Sequence, residues 1–340
     1  MKCVAIKGVK KLEVSEIDEP KSEIGKSIIE ITKSGICGSD IHYWDMGQPE
    51  GLVMGHEFVG KILDNGGSED LKVGDRVTAL PISPCGKCEA CEMGNVQYCK
   101  ETWSQAVGLS VENPGGLTSK ISVRNDMIIK VPDSVSDEEI AMVEPTAVGL
   151  HAIHLADIKV GEKVLIIGGG IIGLVSAMFA KKEGASYVAL TETNPKRGKN
   201  AVDLGVADEW FLADEECVTN LRTKLPNGFD TVIECCGNSA AVTTGLMACK
   251  QGGKIVLVGV SLGPVTIPTV VSVMAEQTIL GAIAYTKDEF RTCIELMEEK
   301  QIDVLKFLSK TVSLDEVQKA YEELTSGKSD SIKILVDPRK

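Results

Sequence analysis

No stretch of this 340-residue chain is unbroken in apolar residues for the roughly 18 to 20 that a membrane-crossing helix needs. The N-terminus, MKCVAIKGVKKLEV, has no apolar signal-peptide core, which points to a cytosolic protein. Basic residues are in short supply. Lys and Arg number 36 against 49 Asp and Glu, for a net charge of −13. That balance disfavours a nucleic-acid backbone or an anionic membrane as partner, because both attract basic surfaces. Internal repeats, low-complexity tracts and long linkers are missing as well. The 11 cysteines are too sparse for a disulfide framework, and in a reducing compartment clustered cysteines point to metal.

What is present is the composition of an ordinary globular protein, 43% hydrophobic and 25% charged. The length exceeds what one hydrophobic core usually serves, so two domains are expected. Period-2 alternation in residues 1–34, in EFVGKILDNGG and GDRVTALPI, and in residues 117–131 reads as antiparallel strand, hence a β-rich, barrel-like first domain over 1–145. The texture changes at Ser136, an N-cap with Glu139 in capping-box position. Pro145 is expected to bend or split the helix that follows. KVLIIGGGIIGLVSAMFAKKEG and SYVALTE then read as strand, Gly-rich turn, helix and strand. The later apolar runs FDTVIECCG, GGKIVLVGV and TILGAIAY complete a doubly wound parallel sheet over 146–286. The remaining 287–340, with a helix near 287–300 and the strand SIKILVDP, is expected to return to the first domain.

The chemistry concentrates in Gly35 to Glu57, GICGSDIHYWDMGQPEGLVMGHE. Cys37, His56 and Glu57 offer one sulfur, one imidazole and one carboxylate. That mixture suits a borderline-soft ion such as Zn²⁺ in a catalytic site, where one position stays open. A second cluster, Cys85, Cys88, Cys91 and Cys99 in a lobe over 85–99, has the ligand count of a closed, structural zinc site. A redox or disulfide role is the alternative for these four. Cys3, Cys217, Cys235, Cys236, Cys249 and Cys293 read as buried small hydrophobes.

Gly168, Gly170 and Gly173 form G-x-G-x-x-G, enclosing Ile171 and Ile172 and opening a helix after the strand VLII. Alone the pattern is weak, but strand before, helix after and Glu192 at the end of the next strand make it a dinucleotide turn. The helix N-terminus meets the pyrophosphate. Glu192 would accept from both ribose hydroxyls and repel a 2′-phosphate, favouring NAD over NADP. Lys196 and Arg197 carry the contrary possibility of pairing with that phosphate, or Arg197 stacks on adenine. His151 and His154, at i and i+3 on a helix, read as packing or cofactor-proximal residues, with a second metal pair as the rarer alternative.

This order of parts resembles the medium-chain zinc-dependent alcohol dehydrogenases from end to end. GICGSDIHYWDMG is similar to the sorbitol dehydrogenase segment around its zinc Cys, VEPTAVGLHA resembles both the sorbitol and the butanediol branches, and SIKILVDPRK looks like the ending of butanediol dehydrogenases. The resemblance implies a GroES-like catalytic domain, a Rossmann domain, one catalytic and one structural zinc, NAD, and a homotetramer or homodimer paired through TILGAIAY. It makes Cys37, His56 and Glu57 zinc ligands and Glu144 a fourth acidic group that binds the metal directly or through water. Asp40 would orient His56. Ser39 would take the substrate hydroxyl proton and pass it towards His42, and Val258 and Val260 would line the nicotinamide. By their chemistry alone, Ser39 could equally cap a turn and His42 be a surface imidazole, while Tyr43 and Trp44 could wall a substrate pocket or be core.

The implied reaction is hydride transfer between NAD and a secondary alcohol, diol or polyol, since Zn²⁺ lowers the pKa of a bound alcohol and stabilises the alkoxide from which hydride departs. Sorbitol dehydrogenases place an Arg where this chain has Ala284, which speaks against sorbitol itself. Rival readings are a zinc-binding regulatory protein without catalysis and a reductase of the same fold acting on another carbonyl class.

Overall fold

The strand Lys26–Gly35 is the spine of the N-terminal half. Its side chains alternate in burial as far as Ile31 and are then continuously buried to Gly35, as expected where a strand enters a core with neighbours on both sides. The computed structural model describes residues 1–340 and falls into two units, Met1–Pro145 with Thr286–Lys340, and Thr146–Tyr285.

In the first unit Lys26–Gly35 lies antiparallel to Glu57–Asp64, with Gly35 opposite Glu57. The sheet continues through Arg76–Ala79 to Ile128–Lys130, and Lys120–Arg124 also pairs with the spine. On its other side the spine's end meets Lys333–Val336, with Leu335 opposite Gly35, and Leu308–Val312 lies parallel beyond it. The C-terminal strands therefore close the sheet of the N-terminal strands. A separate hairpin pairs Lys2–Gly8 with Lys11–Glu16. Trp44, Met54, Leu117, Val317 and Tyr321 belong to one buried cluster.

The second unit is a six-stranded parallel sheet in the order Glu209–Leu212, Tyr187–Glu192, Lys163–Ile167, Phe229–Glu234, Cys249–Leu257, Thr278–Gly281. Chain order reverses between Lys163–Ile167 and Phe229–Glu234. The C-terminal ends of these two strands form the topological switch point, where doubly wound sheets bind ligands. The fold class expected from the sequence, a β-rich domain plus a doubly wound parallel sheet, is the one observed.

One local expectation fails. Pro145 does not break its helix; Val143–Ala156 runs through it. It sits in the first turn, where backbone N–H groups have no intrahelical acceptor to lose. The break falls earlier, at Ala141 and Met142, after the short helix Asp137–Ile140 that the Ser136 and Glu139 capping box starts. No helix is long and apolar enough to cross a membrane.

Candidate metal centre and cofactor site

The spine strand delivers Cys37 to the start of the helix Gly38–Met46 as its N-cap, with φ −92° and ψ 152°. A thiolate there faces the positive end of the helix dipole. Asp40 Oδ2 accepts the Cys37 N–H at 3.1 Å, and the Ser39 hydroxyl donates to Cys37 Sγ at 3.3 Å. The antiparallel neighbour begins at Glu57, so strand register alone carries His56 and Glu57 beside the Cys37 turn. Ligand atoms of Cys37, His56 and Glu57 lie within 4.8 Å of one another. Glu144 is outside this converging set; it stands half-buried at the start of the helix Val143–Ala156.

The electrostatics of this set suit a cation. His56 is 5% exposed. Burial alone would lower its pKa, yet the Cys37 and Asp40 acids outweigh burial and raise it well above the usual histidine value. Asp40 Oδ1 stands 3.3 Å from His56 Nδ1, which leaves the other ring nitrogen for a ligand. Glu57 is buried, with Oε2 in an ion pair with Lys333 Nζ and Oε1 without a hydrogen-bond partner. Gly35 makes room for this carboxylate, because a Cβ there would lie 1.8 Å from Glu57 Oε2. One soft and one nitrogen donor, plus a carboxylate with one oxygen to spare, fit a divalent borderline ion.

Lys333 is absent from the sequence reading. It is 1% exposed and also donates to the Ile36 carbonyl at 2.8 Å, just before Cys37. The available signal was a single Lys inside the otherwise apolar run IKILV.

The four cysteines of the lobe also converge within 4.8 Å. Cys88 and Cys91 sulfurs are 3.6 Å apart, far beyond a disulfide bond of about 2.05 Å, and all eleven thiols are free. Amide N–H groups of Cys85 and Glu101 point at Cys99 Sγ from 3.3 and 3.4 Å. Led by the Cys85 amide, they hold the Cys99 thiol down at about 6. Four sulfurs gathered this closely with none in a disulfide suit metal ligation.

In the second unit a cavity of about 440 Å³ opens at the switch point, lined by Gly168, Thr191, Glu192, Asp214, Cys236 and Asn238 among others. Gly168 has φ +104°, and a Cβ on Gly173 would strike the Gly168 carbonyl at 1.9 Å. Gly170, the N-cap of the helix Ile171–Lys182 that includes Ile171 and Ile172, faces open space. That is the approach a pyrophosphate needs. Glu192 Oε2 accepts the Gly169 N–H at 2.8 Å and Oε1 accepts Thr193 Oγ1 at 3.0 Å. Arg197 is half-buried in the first turn of the helix Pro195–Asp203. Val258 donates its N–H to the Glu234 carbonyl at 2.8 Å, and Val260 is exposed.

Glu234 escaped the sequence reading. Its Oε1 accepts the Cys236 and Gly237 N–H groups at 2.7 and 2.9 Å, and burial raises its pKa. The signal was available, since YVALTE and FDTVIE each end an apolar strand with Glu. One other expectation needs correction, and two open readings are decided. Cys236 is exposed and lines the cavity rather than the core. Trp44 is core, 3% exposed with its ring 5.9 Å from that of Tyr321. His151 is buried and His154 exposed, and they enter neither converging metal set.

Two family comparisons agree with this geometry. Residues 23–133 match the family described as alcohol dehydrogenase GroES-like domain, and residues 172–299 match zinc-binding dehydrogenase. The D-xylulose reductase of Scheffersomyces stipitis is 31% identical over 95% of this chain and 93% of its own. The chain belongs to the zinc-binding dehydrogenases. Within that family, the sorbitol dehydrogenase of Bacillus subtilis is similar at 29% identity over 100% of this chain and 98% of its own. The crystal structure of 2R,3R-butanediol dehydrogenase from Bacillus subtilis superposes with a TM-score of 0.86 at 28% identity, covering 99% of each chain. As a zinc-binding dehydrogenase, the protein has in its four-Cys cluster a set that fits structural zinc, and in its Gly-rich turn the place for an NAD(P) cofactor.

Proposed function

We propose that this protein is a zinc-dependent oxidoreductase that moves hydride between a secondary alcohol, vicinal diol or polyol and NAD. The observation that carries this reading is the convergence of Cys37, His56 and Glu57 with the Ser39 hydroxyl beside the sulfur. Zinc, when bound, supplies Lewis acidity towards the alcohol oxygen. Cys37, His56 and Glu57 hold it, and Glu144 adds an acidic group that favours hydroxylated substrates over a simple primary alcohol. Ser39 takes the substrate hydroxyl proton. His42, half-buried one turn further along the same helix, passes it on towards solvent. Gly168 to Gly173 seat the pyrophosphate, and Val258 with Val260 lines the nicotinamide.

NAD is preferred to NADP on this reading because Glu192, Asp214 and Glu215 all line the ribose cavity. A 2′-phosphate would face three carboxylates, and Arg197 stacks on adenine instead. Elemental analysis is expected to find about two Zn per chain, the one closed and the one open site. With a panel of secondary alcohols and polyols, absorbance of the reduced cofactor should rise with NAD, stop on chelation and resume with Zn²⁺. Activity untouched by chelation would end the zinc reading, and faster turnover with NADP at subsaturating cofactor would end the Glu192 reading.

The reading extends to assembly and setting. Thr278–Gly281 is hydrogen-bonded on one side only, as the edge strand of its sheet, and the adjoining helix Thr269–Met274 exposes Val270, Val273 and Met274. An apolar edge of this kind suits pairing with a second copy, giving a homotetramer built from such dimers. Light scattering should return a multiple of the chain mass; a monomer refutes it. Eleven unpaired thiols suit a reducing, cytosolic setting.

A further inference from the structure

Glu234 ends the strand Phe229–Glu234, one of the two whose C-terminal ends make the switch point, and it is completely buried. Its Oε1 accepts the N–H groups of Cys236 and Gly237 at 2.7 and 2.9 Å, which draws the chain into a tight turn. Its Oε2 has no hydrogen-bond partner. Burying a polar oxygen unpaired is unfavourable, so stability alone would not select a carboxylate here. The turn stands between the two segments assigned to the dinucleotide. On one side the Cys235 N–H donates to the Ile167 carbonyl at 2.9 Å, and a Cβ on Gly168 would lie 2.7 Å from Cys236 Sγ. On the other side the Glu234 carbonyl accepts the N–H groups of Val258 and Gly259 at 2.8 and 3.0 Å. There the two backbones touch, since a Cβ on Gly259 would strike the Gly237 nitrogen. Cys236 and Asn238 line the cavity at the switch point.

We propose that Glu234 is a positioning residue for the dinucleotide: through Oε1 it fixes the turn at Cys236 and Gly237, and that turn sets the spacing between the Gly168 turn and Val258 to Val260. The inference rests on the reading of this cavity as the cofactor site. A wall that is already ordered before the cofactor arrives costs less to bind against, so the effect belongs to cofactor affinity. Reach rather than charge carries it. The acceptor must meet two amides that lie two and three residues further along the chain, and a carboxylate one methylene shorter falls short of them.

The test titrates NADH into the full-length zinc-loaded protein and reads cofactor fluorescence. Glu234→Asp keeps the charge and loses the reach, and should weaken NADH binding by about tenfold, the worth of one or two hydrogen bonds. Glu234→Gln keeps the reach and loses the charge. Its neutral oxygen is a weaker acceptor, so NADH affinity should fall by no more than about threefold. Wild-type affinity in Glu234→Asp overturns the proposal, and so does a Glu234→Gln variant as weak as Glu234→Asp, which would make charge the cause. Should Glu234→Asp fail to fold, Gly237→Ala disturbs the same turn from its other end. Gly237 has φ +68°, and a Cβ there would lie 2.6 Å from the Val260 carbonyl oxygen. Undiminished NADH binding in Gly237→Ala then overturns the proposal. A wild type that does not bind NADH removes the cofactor reading itself, and this inference with it.

Discussion

Replacing Ser39 by Ala is expected to lower turnover by about 10² to 10⁴-fold, the usual worth of a positioned proton-transfer group, with about two Zn per chain still bound. The geometry makes the hydroxyl separable from the scaffold around it. Ser39 touches Cys37 through one contact at 3.3 Å, whereas the turn is held by Asp40 accepting the Cys37 N–H and by the spine strand behind it. Alanine is also a better helix former than serine, so the helix Gly38–Met46 should keep its start. Turnover and zinc content must be measured on the same preparation. Normal turnover would remove Ser39 from the reaction. Loss of zinc in parallel with turnover would mean that the hydroxyl serves the sulfur and not the proton.

The second large effect concerns stability. Lys333→Met leaves the buried Glu57 carboxylate without its countercharge, and removing one partner of a buried ion pair costs about 3–5 kcal/mol. Both side chains of the pair have no exposure at all, so water cannot take the place of the ammonium group. Urea unfolding of zinc-depleted protein, followed by tryptophan fluorescence, should show the loss. Adding Glu57→Gln to Lys333→Met removes the stranded charge and should recover most of the stability. A double variant as unstable as the sum of the two single ones would deny the coupling. Added zinc should narrow the gap between wild type and Lys333→Met, because the cation gives Glu57 a second positive partner.

Most of the candidate metal and cofactor residues were legible in the sequence because their chemistry is local. Cys85 to Cys99 lie on one short loop, and Gly168 to Gly173 are one turn, so spacing along the chain is nearly the geometry itself. Cys37 and His56 are farther apart, yet they sit at facing ends of two antiparallel strands, which brings a modest sequence separation back to one point. Trp44 was less legible. An aromatic beside a metal motif can face a pocket or a core, and only the burial against Tyr321 decides. Cys236 misled for the opposite reason: it follows an apolar strand, but the Gly237 turn that Glu234 caps carries it out to the cavity.

The sequence by itself determined the candidate metal donors, the dinucleotide turn, the acid that ends its second strand, and the division of labour between a β-rich and a doubly wound half. Only the tertiary structure decided what supports them. Lys333 is 276 positions from Glu57, and Tyr321 packs against Trp44 from the last helix. Such partners have no periodic or spacing signal, since a buried charge or hydroxyl needs only one complementary group nearby in space and any strand or helix that packs there can supply it. At Cys37, His56 and Glu57 the chain therefore announced candidate donors, while folding chose the groups that hold them in place.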